Sequence, residues 1–222
     1  MHQSKLIQLL KSLETDEFRQ FSKFVRSPVY NTNPTIVKYY NFLRPYFPEF
    51  NSPRLQKEKV FEKLFPGKPY NYHVLGNLNR QFVKLTKDFL VHLEIDRNNV
   101  LKEKILIQSY GRRNLFSQFE KGTNKLKADI EKSPYRDYSY YQSLFELSYE
   151  LFFHPLTNRY KKNDVSINEL MKFLDRYFVM IKMHLRGELK TRELAMSKPY
   201  KIEMSDEVVR LNQVFSEENQ LF

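Results

Sequence analysis

Apolar residues recur at alternating steps of three and four through most of the 222-residue chain, the period of a helix that buries one face. The pattern is clearest over residues 71–93, where Leu75, Leu78, Phe82, Leu85 and Phe89 fall on one stripe. His73, Asn77, Arg80, Lys84 and Lys87 repeat the rhythm two residues out of phase, roughly 200° away at about 100° per residue. The spacing therefore predicts a long helix with one greasy face and one polar, basic face. At about 1.5 Å per residue such a helix spans a small domain, so shorter helices on both sides can pack against it.

Ahead of this helix the punctuation is equally regular. Leu6, Ile7, Leu9, Leu10 and Leu13 predict a first helix over about 4–13. Thr15 is expected to cap a second, with Asp16 and Glu17 in its first turn and Phe18, Phe21, Phe24 and Val25 inward. Ser27-Pro28 ends it, because a residue before proline avoids the helical region. Asn33-Pro34 starts a third helix through Val37, Tyr40 and Leu43, which Pro45 and Pro48 close. Ser52-Pro53 repeats the start signal for a fourth, with Leu55, Val60, Phe61, Leu64 and Phe65 inward. After the turn at 66–70, Asn71 caps the long helix.

Past Ile95 the polar run Asp96-Arg97-Asn98-Asn99 marks a boundary, giving an N-terminal five-helix domain over 1–95 and a second region over 96–222. The second region predicts helices at about 100–110, 115–131, 138–153 and 167–185, with brief loops. Ser166-Ile167-Asn168-Glu169 is a capping box, and Leu170, Leu174, Phe178, Ile181 and Leu185 form the last stripe. Gly187 either breaks that helix or is absorbed into one reaching Met196. Residues 138–153 are apolar nearly all round, so this helix is expected to be flanked on both sides. Strand-like alternation with hairpin turns is absent from the sequence, and the fold class is all-α. Antiparallel pairs of this length resemble tetratricopeptide-type solenoids, but that repeat needs small residues where helices cross. With only Ala128 and Ala195 counted as such, the expectation is an irregular, solenoid-like array of helical hairpins.

Composition narrows the classes. With 41% hydrophobic and 15% aromatic residues the chain can build a core. It has no cysteine, which excludes disulfides and thiolate metal sites and suits a reducing compartment. The amphipathic N-terminus does not read as a signal peptide, and the longest uncharged apolar run, Tyr177 to Ile181, is far short of the ~20 residues that span a bilayer. The expected location is cytoplasmic, with no membrane partner. A formal charge of +11 and a pI near 9.6 favour an anionic partner. Residues 1–97 hold 16 Lys+Arg against 9 Asp+Glu, and 98–222 hold 21 against 17, so the excess of +7 and +4 leans N-terminal.

Phe18-x-x-Phe21-x-x-Phe24, Ser27-Pro28, Asn31, and later Phe61-x-x-Leu64-Phe65-Pro66-Gly67-Lys68 with Tyr70-Asn71 form a further pattern. Over residues 4–95 the chain resembles an uncharacterised family of bacterial all-helical proteins with no assigned activity. The resemblance implies an all-helical fold and transfers no catalytic or binding residue. Members of that family continue into a longer helical C-terminal region, so it also implies that the natural protein runs on past Phe222.

Candidate chemistry is sparse. His2, His73, His92, His154 and His184 form no H-x-x-x-H pair, so no metal or cofactor is expected. Glu58 and Glu62, and Glu146 and Glu150, stand four apart on helices as in di-metal carboxylate bundles, but no Glu-x-x-His accompanies them. The first pair reads as a solvated face beside Arg54, Lys59 and Lys63. The second pair, on an otherwise apolar helix, is expected to find Lys or Arg on a neighbouring helix. Gly67, Gly76, Gly111, Gly122 and Gly187 build no phosphate loop, and no nucleophile elbow occurs, so the chain does not read as an enzyme.

Two binding readings remain. Tyr135, Tyr138, Tyr140, Tyr141, Tyr149 and Tyr160, followed by Lys161 and Lys162, can stack single-stranded bases or simply fill helix crossings. A helix-turn-helix can be drawn with Lys57 to Phe65 before the turn and Tyr72, Asn77, Arg80, Gln81 and Lys84 entering a major groove, though the turn is long. The reading taken is a non-enzymatic helical interaction module that binds another protein. The alternative is DNA or RNA binding through His73, Asn77, Arg80, Lys84 and Lys87. Val208, Leu211, Val214 and Phe215 lead to an apolar end at Leu221-Phe222 that needs cover, expected either from a continuation of the chain or from self-association with a second copy.

Overall fold

Asparagine, serine and proline set the boundaries of the first unit much as their chemistry requires. The computed structural model describes residues 4–155, 167–196, 199–200 and 203–220, and among these it is all-α, with ten α-helices and no strand. The chain divides into two compact units, residues 1–98 and 99–222.

In the first unit, α1 (Lys5–Lys11) is capped by Ser4, whose hydroxyl accepts from the Ile7 N–H. The second helix, α2 (Thr15–Arg26), begins one residue earlier than the sequence implied: Thr15 is its first residue and Glu14 is the cap. Glu17 reaches back to accept from the Glu14 N–H at 2.8 Å, so a Glu/Glu capping box replaces the expected threonine cap. Asn33 caps α3 (Pro34–Leu43) by accepting from the Thr35 N–H at 2.9 Å. Short 3-10 turns at Arg44–Tyr46 and Pro53–Leu55 follow. Ser52-Pro53 therefore starts a 3-10 turn, and α4 (Lys57–Leu64) begins after Gln56. Asn71 caps α5 (Tyr72–Arg97) twice over, accepting from His73 N–H and Val74 N–H at 2.9 and 3.1 Å.

All five residues of the α5 stripe are buried, and the first unit's core forms around them. The phenylalanines of α2 meet them ring to ring: Phe21 lies 4.9 Å from Phe89 and Phe24 lies 5.3 Å from it. Buried tyrosines satisfy their hydroxyls, Tyr39 donating to Asn79 Oδ1 at 2.9 Å and Tyr40 to the Phe18 carbonyl at 3.2 Å. Burial pushes the Tyr39 phenol far above its usual range, so it stays neutral. Glu17, almost wholly buried, pairs with Arg97 and ties the start of α2 to the end of α5.

The second unit is a run of helices, each packed on the next: α6 (Asn99–Arg112), α7 (Phe116–Glu131), α8 (Tyr138–Phe153), α9 (Ile167–Met196) and α10 (Ser205–Gln220). Gly187 is absorbed into α9. The α9 stripe is rotated from the expected one: Leu170, Arg176 and Val179 are buried, whereas Leu185 is half exposed. The reason is that α9 is packed on two sides. Arg176 lies between Tyr141 of α8, 5.9 Å from its ring, and Phe215 of α10, 4.8 Å away.

The small residues at the crossings are glycines, not the two alanines, both of which are exposed. A Cβ on Gly122 of α7 would stand 3.1 Å from Ile107 of α6, and one on Gly111 would stand 2.9 Å from the His154 ring. Contacts between the two hairpins share one register. Lys104 meets Glu146, Gln108 meets Glu150 and Lys127 meets Glu169, each pair 42 residues apart. Because residues 104 and 108 meet 146 and 150 in the same order, α6 and α8 run parallel. The capping box at Ser166, Tyr160 with Lys161 and Lys162, and the end at Leu221-Phe222 lie outside the described residues.

Candidate functional site

Among the described residues of the second unit, a groove of about 690 Å³ lies between α6 and the C-terminal half of α8. Its apolar wall is built by α8 itself. Phe145, Tyr149 and Phe153 stand four residues apart, so their side chains follow one another along one face. Their ring centroids are 5.8 Å apart for the first pair and 4.5 Å for the second. Tyr149 and Phe153 remain 50% and 53% exposed, which is unusual for adjacent large aromatics and marks a surface that other apolar groups can cover.

The polar side of the groove separates the two glutamates. Glu146 is fully engaged, accepting from Lys104 Nζ at 2.7 Å and from Gln142 Nε2 at 2.8 Å. Among the described residues, Glu150 receives the Gln108 amide alone, at 3.5 Å. Partial burial pushes its carboxyl above the ordinary range, against the pull of the Gln108 hydrogen bond and the positive charges of His154, Arg112 and Lys104. The expected cationic partner is thus found for Glu146, and a neutral amide takes its place at Glu150. At the end of the groove His154 rests on the buried Phe119 ring, 4.4 Å centroid to centroid, and fits there because Gly111 has no side chain.

The sequence of α8, apolar nearly all round, predicts cover on both sides. Tyr140, Tyr141, Leu144, Leu147 and Leu151 are buried as that requires, but among the described residues the Phe145–Tyr149–Phe153 face is left open to the groove. The signal for it was the i, i+4, i+8 aromatic spacing, hidden because the intervening residues are apolar too. Of the other tyrosines, Tyr135 is exposed, while Tyr138 packs on His184 at 5.2 Å, so this set does not form one stacking platform. His184 itself is exposed in the middle of α9.

In the first unit, His73, Asn77, Arg80, Lys84 and Lys87 are all exposed on α5. Arg80 donates to Asn77 Oδ1 at 2.6 Å, and Arg80, Lys84 and Lys87 have no carboxylate partner among the described residues. Tyr72 lies under the Lys57 ammonium at 5.4 Å, and Gln81 accepts from Asn33 at 2.8 Å. Residues 65–71 connect α4 to α5, a longer turn than the three or four residues of a helix-turn-helix. Glu58 and Glu62 are exposed. Among the described residues no group of three His, Asp or Glu side chains gathers closely enough to hold a metal ion, and no helix is long and apolar enough to cross a membrane. Comparison with known protein families, with curated proteins and with solved structures finds no match to this chain.

Proposed function

We propose that the chain is a helical interaction module whose second unit, a solenoid-like stack of hairpins, binds a segment of another protein in the α6–α8 groove. The observation that carries this reading is the Phe145–Tyr149–Phe153 ladder beside Glu150, half-buried at Phe145 and exposed at Tyr149 and Phe153. An occupant with large apolar side chains covers the rings, and a Lys or Arg among them places a cation directly against Glu150, whose hydrogen-bond donor among the described residues is the neutral Gln108 amide. Both gains come from surfaces already shaped before binding, which keeps the ordering cost low. Aromatic rings and desolvated charges at the centre of a concavity are also where binding energy concentrates.

Selection from a displayed peptide library against the intact chain tests this. Selected sequences should combine apolar residues with at least one Lys or Arg. Tyr149→Ala and Phe153→Ser, both at exposed positions, should each weaken the selected peptides by about tenfold or more while leaving the melting temperature nearly unchanged. Glu150→Gln should weaken basic peptides without destabilising the fold. Peptides that bind the three variants as well as they bind the wild type would sink the reading.

A further inference from the structure

Ion pairs in the first unit are concentrated at one end. Among the described residues, Arg19 pairs with Asp16 and Arg97 with Glu17 and Glu94, all at the start of α2 or the end of α5, where the His92 ring also lies 3.3 Å from Asp96. Where α3 meets α4 the situation is the reverse. Arg54, Lys59 and Lys63 are exposed and have no carboxylate partner among the described residues. All three line one cleft of about 750 Å³, with Glu62 as the one acidic side chain there among the described residues.

Two aromatic rings face these charges, with Asn41, Pro45, Pro66 and Gly67 completing the wall. Phe42 and Tyr46 line it, 5.8 Å apart, half-buried against the core so that their rings are held in place. Lys59 and Lys63 stand one turn apart on α4, with side-chain origins about 5–6 Å apart. Arg54 enters from the 3-10 turn ahead of that helix. A row of cations beside fixed rings is the arrangement that holds a nucleotide strand, with phosphates on the cations and a base against a ring. An acidic peptide would use the cations and leave the rings idle. A duplex presents its bases stacked inside, so the rings would again do nothing. We propose that this cleft binds a short single-stranded nucleic acid through Arg54, Lys59 and Lys63, with a base lying against Tyr46. The proposal is independent of the groove in the second unit.

The test uses the full chain and a fluorescent oligothymidylate, with affinity read by anisotropy over a range of salt. Three phosphate contacts on a single strand predict a log–log slope near −2, at about 0.7 per contact. Replacing Arg54, Lys59 and Lys63 with Ala should remove most of that slope and weaken binding at least tenfold at low salt. Glu62→Gln should act in the opposite direction and tighten binding severalfold, because it removes the one charge that repels phosphate. All four side chains are exposed, so circular dichroism and melting should match the wild type. Tyr149→Ala in the second unit should leave oligonucleotide binding unchanged, which separates failure here from failure of the groove reading. The proposal is overturned by an absence of binding, by a slope unaltered in the triple variant, or by polyglutamate of matched charge or duplex DNA binding as tightly as the single strand.

Discussion

Three helical glycines differ only in what lies opposite them, and that difference sets the sign of the same substitution. A Cβ added at Gly76 or Gly187 meets nothing within 4 Å. Alanine there should gain about 0.8–1 kcal/mol from helix propensity alone, visible as a higher melting temperature. At Gly111 the new Cβ would stand 2.9 Å from a His154 ring already braced on Phe119. The propensity gain is then offset by overpacking of about 1–3 kcal/mol, so Gly111→Ala should be neutral to destabilising. A gain at Gly111 equal to that at Gly187 would show that His154 is free to move. On α5 the contrast is between faces. Phe82 is completely buried, and Phe82→Ala should cost about 3–5 kcal/mol in denaturant melts. Arg80 is exposed and bonded only to Asn77, so Arg80→Ala should change stability by less than about 0.5 kcal/mol. Glu150 adds a dependence on pH. Its raised carboxyl binds a proton more readily in the folded state, so its contribution falls as pH rises from the unfolded value of 4.5 through the higher folded one. Glu150→Gln should therefore be at least as stable as the wild type at neutral pH, with the difference closing in acid. A binding defect in that variant then cannot be blamed on unfolding.

The elements themselves were largely legible, and where they were not the cause is physical. Asparagine caps read correctly because Asn33 and Asn71 each satisfy N–H groups of the next turn without help from elsewhere. The cap of α2 was missed because Glu14 is a poor cap by type and succeeds only through its reciprocal bond with Glu17. The stripe of α9 was drawn for one buried face, but two neighbours compete for the helix and bury Arg176 between Tyr141 and Phe215. The groove escaped for a related reason: a helix apolar on every side does not announce which side is left open. α8 also carries a cap whose strength can be measured. The Ser139 hydroxyl and the Tyr140 N–H both donate to Asp137, holding its carboxyl below the usual range. Folding is therefore stabilised by the ionised cap above the unfolded value of 3.8, and that contribution is lost as pH falls through the depressed folded value. Asp137→Ala should cost about 1 kcal/mol at neutral pH. The gap between variant and wild type should narrow only below about pH 4; a gap that narrows near neutrality would mean that another group titrates.

At the scale of the whole chain, the step of 42 residues that recurs between the hairpins of the second unit has no counterpart as sequence similarity. The positions that meet across it are complementary, Lys104 with Glu146 and Lys127 with Glu169, so a search for like residues passes over them. The aromatic groove belongs to the second unit, and the larger positive excess to the first. The α5 face bears directly on whether that excess reads duplex DNA. If Arg80, Lys84 and Lys87 engage phosphates, each contact releases condensed counterions, and log affinity for duplex should fall with log salt by about 0.9 per contact. Three contacts give a slope near −2.7, and replacing the three residues with Ala should flatten it by a similar amount. An interaction module predicts a different result. Net positive charge spread over a surface yields weak, sequence-independent attraction, because it neutralises phosphates from many directions without a fixed register. The slope would then be shallow and nearly the same in the triple variant. The second outcome is the one expected, since Arg80 is partly occupied by Asn77 and the seven-residue connection at 65–71 does not hold α4 and α5 as a helix-turn-helix holds its pair. Duplex binding that selects one sequence and is abolished by the triple substitution would replace the protein-binding module with a DNA-binding one.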